Sequence, residues 1–204
     1  MSAPKIGVLA LQGAFREHIL ALNRLGADAV PLRSPEELDD LDAVVLPGGE
    51  STTMDKLLRK FELQLPLRQR IDEGLPVLAT CAGLILLADE VRDGLPDQES
   101  MHLLAVTVRR NAYGRQPESF EADIDVEGLG APFRGVFIRA PLVEDVGPGV
   151  EVLGSVDGRP VAIRSGHITA LTFHPELTGD DRLHQVFLDD VAEAGREEAR
   201  QSAG

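Results

Sequence analysis

Leu75-Pro76-Val77-Leu78-Ala79-Thr80-Cys81-Ala82-Gly83 is a buried strand run that turns at a cysteine, and the apolar helix Leu84–Val91 follows at once. Ala79, Ala82 and Gly83 are small enough for the tight, strained strand-to-helix turn of a nucleophile elbow. Such a turn exposes the sulfur at the edge of a sheet. A cysteine at a helix start also faces free backbone N–H groups and the positive end of the helix dipole, an environment that favours the attacking thiolate. The alternative is that Cys81 is a small buried hydrophobe, as free cysteines commonly are.

The segments on either side of this corner give its setting. Upstream, the strands Lys5–Leu11, Ala29–Leu32 and Asp42–Leu46 alternate with helical patterns. One pattern carries Phe15, Ile19, Leu22 and Leu25. A short one follows the Ser34-Pro35-Glu36-Glu37 cap, one runs from Ser51 to Phe61, and one covers Leu67–Glu73. This alternation is what a parallel sheet with covering helices produces, so the fold class is α/β. Downstream, Leu103–Val108, Phe120–Val126, Gly135–Ile138, Glu151–Val156, Pro160–Arg164 and Ile168–Phe173 read as antiparallel or mixed strands. A closing helix is expected over Arg182–Ala194. With no linker, repeat or second core, the reading is one domain over 1–195 and a polar, frayed tail over 196–204.

The 204 residues carry 20 basic and 34 acidic side chains, a formal net charge of −14. That charge repels phosphate backbones and anionic lipid surfaces, which argues against nucleic-acid and membrane partners. No apolar run approaches the ~18 residues of a membrane span. One cysteine makes no internal disulfide, and Met1 to Lys5 leads straight into the first strand without a signal-peptide layout, so a cytoplasmic protein is expected.

A thiol nucleophile needs a base. Of the five histidines, His174 stands out in Phe173-His174-Pro175-Glu176 at the end of a strand. Residues i and i+2 of an extended segment project to the same side, so Glu176 can hold the His174 ring in one orientation and tautomer. By itself His-x-Glu is a weak signal. His18, His102, His167 and His184 are read as structural, with His18 half exposed on the first helix. The turn Pro47-Gly48-Gly49-Glu50-Ser51-Thr52 follows the third strand directly; its glycines let backbone N–H groups approach a developing oxyanion. Gly49 and Ala82 are the candidate donors. A plain tight turn is the alternative, and a phosphate loop is disfavoured because no lysine follows in the P-loop arrangement.

Taken together and in this order, Pro47-Gly48-Gly49, Thr80-Cys81-Ala82-Gly83 and His174-Pro175-Glu176 resemble the class I glutamine amidotransferases with their Cys-His-Glu triad. Further stretches are similar to the glutaminase subunits of pyridoxal 5'-phosphate synthase: Leu9 to His18, Pro47 to Met54, Arg109 to Gln116, Ser119 to Asp123 and Val136 to Pro141. Cys81-Ala82-Gly83 stands where other amidotransferases carry Cys-Leu-Gly, which favours this branch over the histidine-pathway one. One departure is Ala79, where the family more often has Gly, and the stretch 93–102 differs slightly in length.

The resemblance implies a three-layer, flavodoxin-like fold, with a mixed, mostly parallel sheet and helices on both faces. It implies hydrolysis of L-glutamine to glutamate and ammonia by Cys81, His174 and Glu176, without metal or organic cofactor. Gly49, Glu50, Ser51, Arg109, Ile138 and Arg139 would form the glutamine pocket, the arginines as candidates for the substrate carboxylate. For either arginine, a surface charge or a subunit salt bridge is the alternative. Gln12 would order the oxyanion turn when the partner docks. That partner would be the synthase (lyase) subunit, in a large hetero-oligomer that makes pyridoxal 5'-phosphate from a pentose phosphate and a triose phosphate. The other readings are a glutaminase of another pathway and a catalytically silent regulatory subunit.

Overall fold

The computed structural model describes residues 3–110 and 119–202. Met1-Ser2, positions Asn111 to Gln116 of the arginine motif and Ala203-Gly204 of the expected tail lie outside the described residues. The first half runs β1 (Lys5–Leu9), α1 (Phe15–Arg24), β2 (Asp28–Leu32), a 3-10 turn (Pro35–Leu38), β3 (Ala43–Leu46), α2 (Ser51–Lys60), α3 (Gln64–Asp72), β4 (Val77–Thr80) and α4 (Ala82–Leu87). The second half runs β5 (Ala88–Arg92), β6 (Leu104–Arg109), β7 (Ser119–Ile124), β8 (Phe133–Ile138), β9 (Leu142–Val146), β10 (Glu151–Val156), β11 (Arg159–Ser165) and β12 (Ile168–Leu171). A second 3-10 turn (Pro175–Leu177) and α5 (Arg182–Ser202) close the chain.

A seven-stranded sheet in the order β10-β11-β12-β4-β3-β1-β2 forms the centre. From β12 to β2 neighbouring strands are parallel, and β11 and β10 join antiparallel. Both faces are covered, which is why its strands read as near-continuous apolar runs. Alternate residues go to opposite layers. Val44, Leu46, Val77, Ala79 and Ala170 pack with Met54, Leu58, Leu67 and Leu84 from α2, α3 and α4. Ala43, Val45, Leu78 and Leu171 pack with Leu22 of α1, Phe137 of β8 and Leu183 and Phe187 of α5. The fold is therefore the expected three-layer α/β arrangement, with the small sheet β5-β6-β9 and the hairpin β7–β8 added to it.

Three elements differ from the sequence reading. The helix expected to reach Val91 stops at Leu87, and Ala88–Arg92 becomes a strand parallel to β6. All six residues of α4 are buried, and an apolar run of that length carries no periodicity to separate helix from strand. β9 forms where the sequence shows no strand pattern, because Glu144-Asp145 interrupts the apolar run. The last helix extends past Ala194 to Ser202, where Ala, Glu and Arg supply helix propensity without an apolar stripe.

The register places the carboxyl ends of three strands side by side. Leu46 pairs with Ala79, and Thr80 pairs with Leu171. The Gly48-Gly49 turn, Cys81 and the segment leading to His174 therefore leave the sheet at one edge, the place where open α/β sheets build their sites. At the β4–α4 corner, a Cβ on Gly83 would run into the backbone carbonyl of Leu46. Gly83→Ala is expected to destabilise the protein by about 1–3 kcal/mol through overpacking against backbone that cannot yield. A urea midpoint equal to wild type would contradict that close approach.

Candidate active site

Cys81 links β4 to α4 with φ +49° and ψ −102°, a left-handed φ that a non-glycine residue adopts only under constraint. Its amide donates to Leu171 O at 2.8 Å, which joins the corner to β12. Cys81 Sγ lies 3.9 Å from Ile138 O at the end of β8. His174 follows Phe173, whose ring is buried against Phe133 and Phe137 at centroid distances of 5.8 and 5.5 Å. The His174 amide donates to Val136 O at 2.8 Å. Core packing and strand-like bonding thus place the imidazole before any catalytic group touches it.

His174 Nδ1 and Glu176 Oε1 are 2.7 Å apart, and Glu176 is a buried side chain. An ionised carboxylate only accepts, so Nδ1 carries the proton and Nε2 is left for the sulfur side. Burial works against charge on His174, but hydrogen bonding to Cys81 and Glu176 outweighs it and pushes its pKa up to about 10. Burial pushes Glu176 upward as well; the facing His18 ring together with the hydrogen bond and charge of His174 outweigh this and hold it below the usual carboxylate range.

The glycine turn approaches the imidazole so closely that a Cβ on Gly48 would collide with the His174 ring. A Cβ on Gly49 would collide with Gln12 Oε1. Two bonds hold this turn against the β1–α1 loop: Glu50 N donates to Gln12 Oε1 at 2.8 Å, and Ala14 N donates to Gly48 O at 3.1 Å. The Glu50 carboxylate caps α2, accepting from Thr52 N at 3.2 Å and Thr53 N at 2.8 Å. Burial opposes its ionisation, but these donors together with the Thr53 hydroxyl bring its pKa to about 2.

These groups surround a cleft of about 280 Å³, lined by Gln12, Gly49, Glu50, Ser51, Cys81, Ile138, Arg139 and His174 among others. That is room for a small amino acid, with a thiol and an imidazole at one wall. The model of the SNO glutamine amidotransferase family matches residues 8–193. The chain belongs to this family. This amidotransferase is 56% identical over 197 residues to the pyridoxal 5'-phosphate synthase subunit PdxT of a Nocardioides species, covering 94% of this chain and 98% of the relative. The subunit of the same name from Acidothermus cellulolyticus is 57% identical over 199 residues, with 95% and 96% covered. A crystal structure described as a glutamine amidotransferase superposes with a TM-score of 0.87 at 51% identity, covering 92% of this chain and 98% of that one.

Two of the expected site residues lie behind the cleft: Glu176 beneath His174, and Ala82 buried as the first residue of α4. Arg109 of the amidotransferase is not brought to the cleft. Its guanidinium bridges Glu144 of β9 and, at 2.8 Å, Asp93 in the turn after β5. The next residue, Arg110, lines the cleft instead and reaches Glu50 Oε1 at 3.0 Å, Thr52 Oγ1 at 2.9 Å and Gln98 Oε1 at 2.7 Å. Consecutive residues at a strand end face opposite ways, so a choice between two adjacent arginines is a choice of face. Arg139, at φ +43°, lines the cleft and has no carboxylate partner among the described residues.

His18 also departs from expectation. It is fully buried, 3.3 Å from Glu176 Oε2, and not half exposed. No local pattern marks it, because the contact joins α1 to a turn at the other end of the chain.

Raising a histidine pKa from 6.5 to about 10 adds stability that is complete below pH 6.5 and is lost as pH rises through about 10. An NMR titration of the imidazole nitrogens is expected to show His174 charged at pH 7 and deprotonating near pH 10. A midpoint near 6.5 would contradict the coupling to Cys81 and Glu176.

Proposed function

We propose that the cleft binds L-glutamine and that Cys81, His174 and Glu176 hydrolyse it to L-glutamate and ammonia. What supports this reading is the meeting of a strained thiol corner, an imidazole tied to a buried carboxylate, and a glycine turn at adjoining strand ends. With its proton already held by His174, the Cys81 thiolate Sγ attacks the carboxamide carbon, and the C=O π electrons move to oxygen. The backbone N–H groups of Gly49 and Ala82 are the proposed donors to that oxyanion. The imidazolium of His174 then gives its proton to the departing nitrogen, ammonia leaves, and a thioester remains. Neutral His174 next takes a proton from water as it attacks the thioester; the C–S bond breaks, glutamate is released, and the Cys81 thiolate and His174 imidazolium are restored. Glu176 keeps the ring in one tautomer through both half-reactions.

Gly49, Glu50, Ser51 and Ile138 are the proposed walls of the glutamine pocket. Arg139, with no carboxylate of its own, is the proposed clamp for the substrate α-carboxylate. Arg110 takes the position that the sequence reading gave to Arg109. Gln12, bonded to Glu50 N, is the proposed link between the oxyanion turn and a docked partner.

The ammonia supplies a pyridoxal 5'-phosphate synthase (lyase) subunit, and we propose that the two assemble as a large hetero-oligomer. The relatives named as subunits of that synthase support this partner. Among the described residues no helix is long and apolar enough to cross a membrane. A cytoplasmic site, and one domain over 1–195 whose last helix runs on into the 196–204 tail, complete the proposal.

The test is ammonia release from L-glutamine by this chain alone and with the synthase subunit. Activity is expected to be low alone and to rise sharply on mixing, and Cys81→Ala is expected to abolish it without lowering the thermal midpoint. An active Cys81→Ala protein would overturn the triad. High activity indifferent to the synthase would overturn the partner.

A further inference from the structure

Behind the triad lies a pair of buried histidines that the proposed chemistry does not use. His18 on α1 and His184 on α5 are both fully excluded from solvent, and His18 Nδ1 lies 2.9 Å from His184 Nε2. The other nitrogen of His18, Nε2, is 3.3 Å from Glu176 Oε2 and 3.3 Å from Thr80 Oγ1. Thr80 directly precedes Cys81. His18 therefore sits between the carboxylate that orients the base and the strand end that carries the nucleophile.

The protons of this chain of groups can be assigned. Glu176 Oε1 takes the proton of His174 Nδ1. Glu176 Oε2 is buried without an aligned hydrogen bond among the described residues, and the side-chain nitrogen that faces it is His18 Nε2 at 3.3 Å. A carboxylate oxygen accepts only, so that nitrogen must carry the proton. Loss of water around the fully buried ring outweighs the pull of Glu176 and keeps His18 below its ordinary pKa, hence neutral. Its Nδ1 is then a bare acceptor, and His184 Nε2 must donate to it. His184 is held neutral by the same burial, with a pKa of about 4, and its Nδ1 ends the chain without a partner among the described residues. With Nε2 protonated, Thr80 Oγ1 accepts from it at 3.3 Å, and the contacts run in one direction from His184 through His18 to Thr80 and the facing Glu176 Oε2.

We infer that His18 is a positioning residue of the glutaminase, its Nε2–H facing Glu176 Oε2 in a tautomer set by His184, so that Glu176 presents Oε1 to His174. This rests on the triad reading above. A carboxylate with one oxygen on an imidazole and the other facing nothing could rotate; His18 removes that freedom. His18 does not line the cleft, so substrate binding should not depend on it.

The experiment is steady-state glutaminase kinetics of the complex with the synthase subunit. His18→Leu, which removes the N–H, is expected to lower kcat about 10- to 100-fold, the scale of a misplaced catalytic group, with KM for glutamine unchanged. His18→Gln, whose side-chain amide can present an N–H in place of Nε2, is expected to recover most of that loss. His184→Leu is expected to give a smaller loss of the same kind, and it serves as the readout if His18→Leu does not fold. Wild-type kcat in His18→Leu, equal losses in the Leu and Gln variants, or wild-type kcat in His184→Leu where it is the readout would overturn the inference. An active Cys81→Ala protein would instead overturn the triad reading, so the two failures are distinct.

Discussion

The left-handed corner at Cys81 is the constraint on which the site depends. A non-glycine residue in that region costs on the order of 1–3 kcal/mol and persists only where the surroundings over-determine it. Here they do so from three sides. The Cys81 amide is bonded to Leu171 O, Gly83 lies against the Leu46 carbonyl, and every residue of α4 is buried. The parallel register of β3, β4 and β12 brings the glycine turn and His174 to the same edge. The sheet thus supplies the convergence, and the strained corner turns it into a thiol facing a cleft.

Electrostatics completes the arrangement by rationing charge. The chain carries −14 overall, yet its substrate brings a carboxylate that needs a cation. Several arginines are already engaged by acidic neighbours: Arg109 by Glu144 and Asp93, Arg92 by Glu90 and Glu144, Arg134 by Glu121 and Asp123. Arg139 at the cleft is different, with no such partner among the described residues. In the buried layer below, burial keeps His18 and His184 neutral, while His174, beside Glu176 and Cys81, is held charged. Among these three rings, positive charge is thereby confined to the one proposed to transfer a proton.

Local chemistry was legible in the sequence where it is carried by neighbouring residues. The strand-cysteine-helix corner, the His174-Pro175-Glu176 spacing and the Gly48-Gly49 turn each have a short-range reason, and the alternation of strands and helices gave the α/β class. What was not legible depends on which elements meet. The apolar run after Gly83 contains no periodicity, so the change from α4 to β5 rests on pairing with β6. Arg109 and Arg110 differ only in the face they occupy. The burial of His18 needs α1, α5 and the turn after β12 together, elements separated by most of the chain.

The most direct measurement of the central claim, a nucleophilic thiol in a glutamine-binding cleft, is labelling by a thiol-directed chloroketone analogue of glutamine in the presence of the synthase subunit. Because Cys81 is the chain's one cysteine, mass spectrometry reads its modification without ambiguity. The account predicts a single adduct on Cys81 whose formation is slowed by excess L-glutamine. Absence of the adduct, or labelling that L-glutamine does not slow, would contradict it.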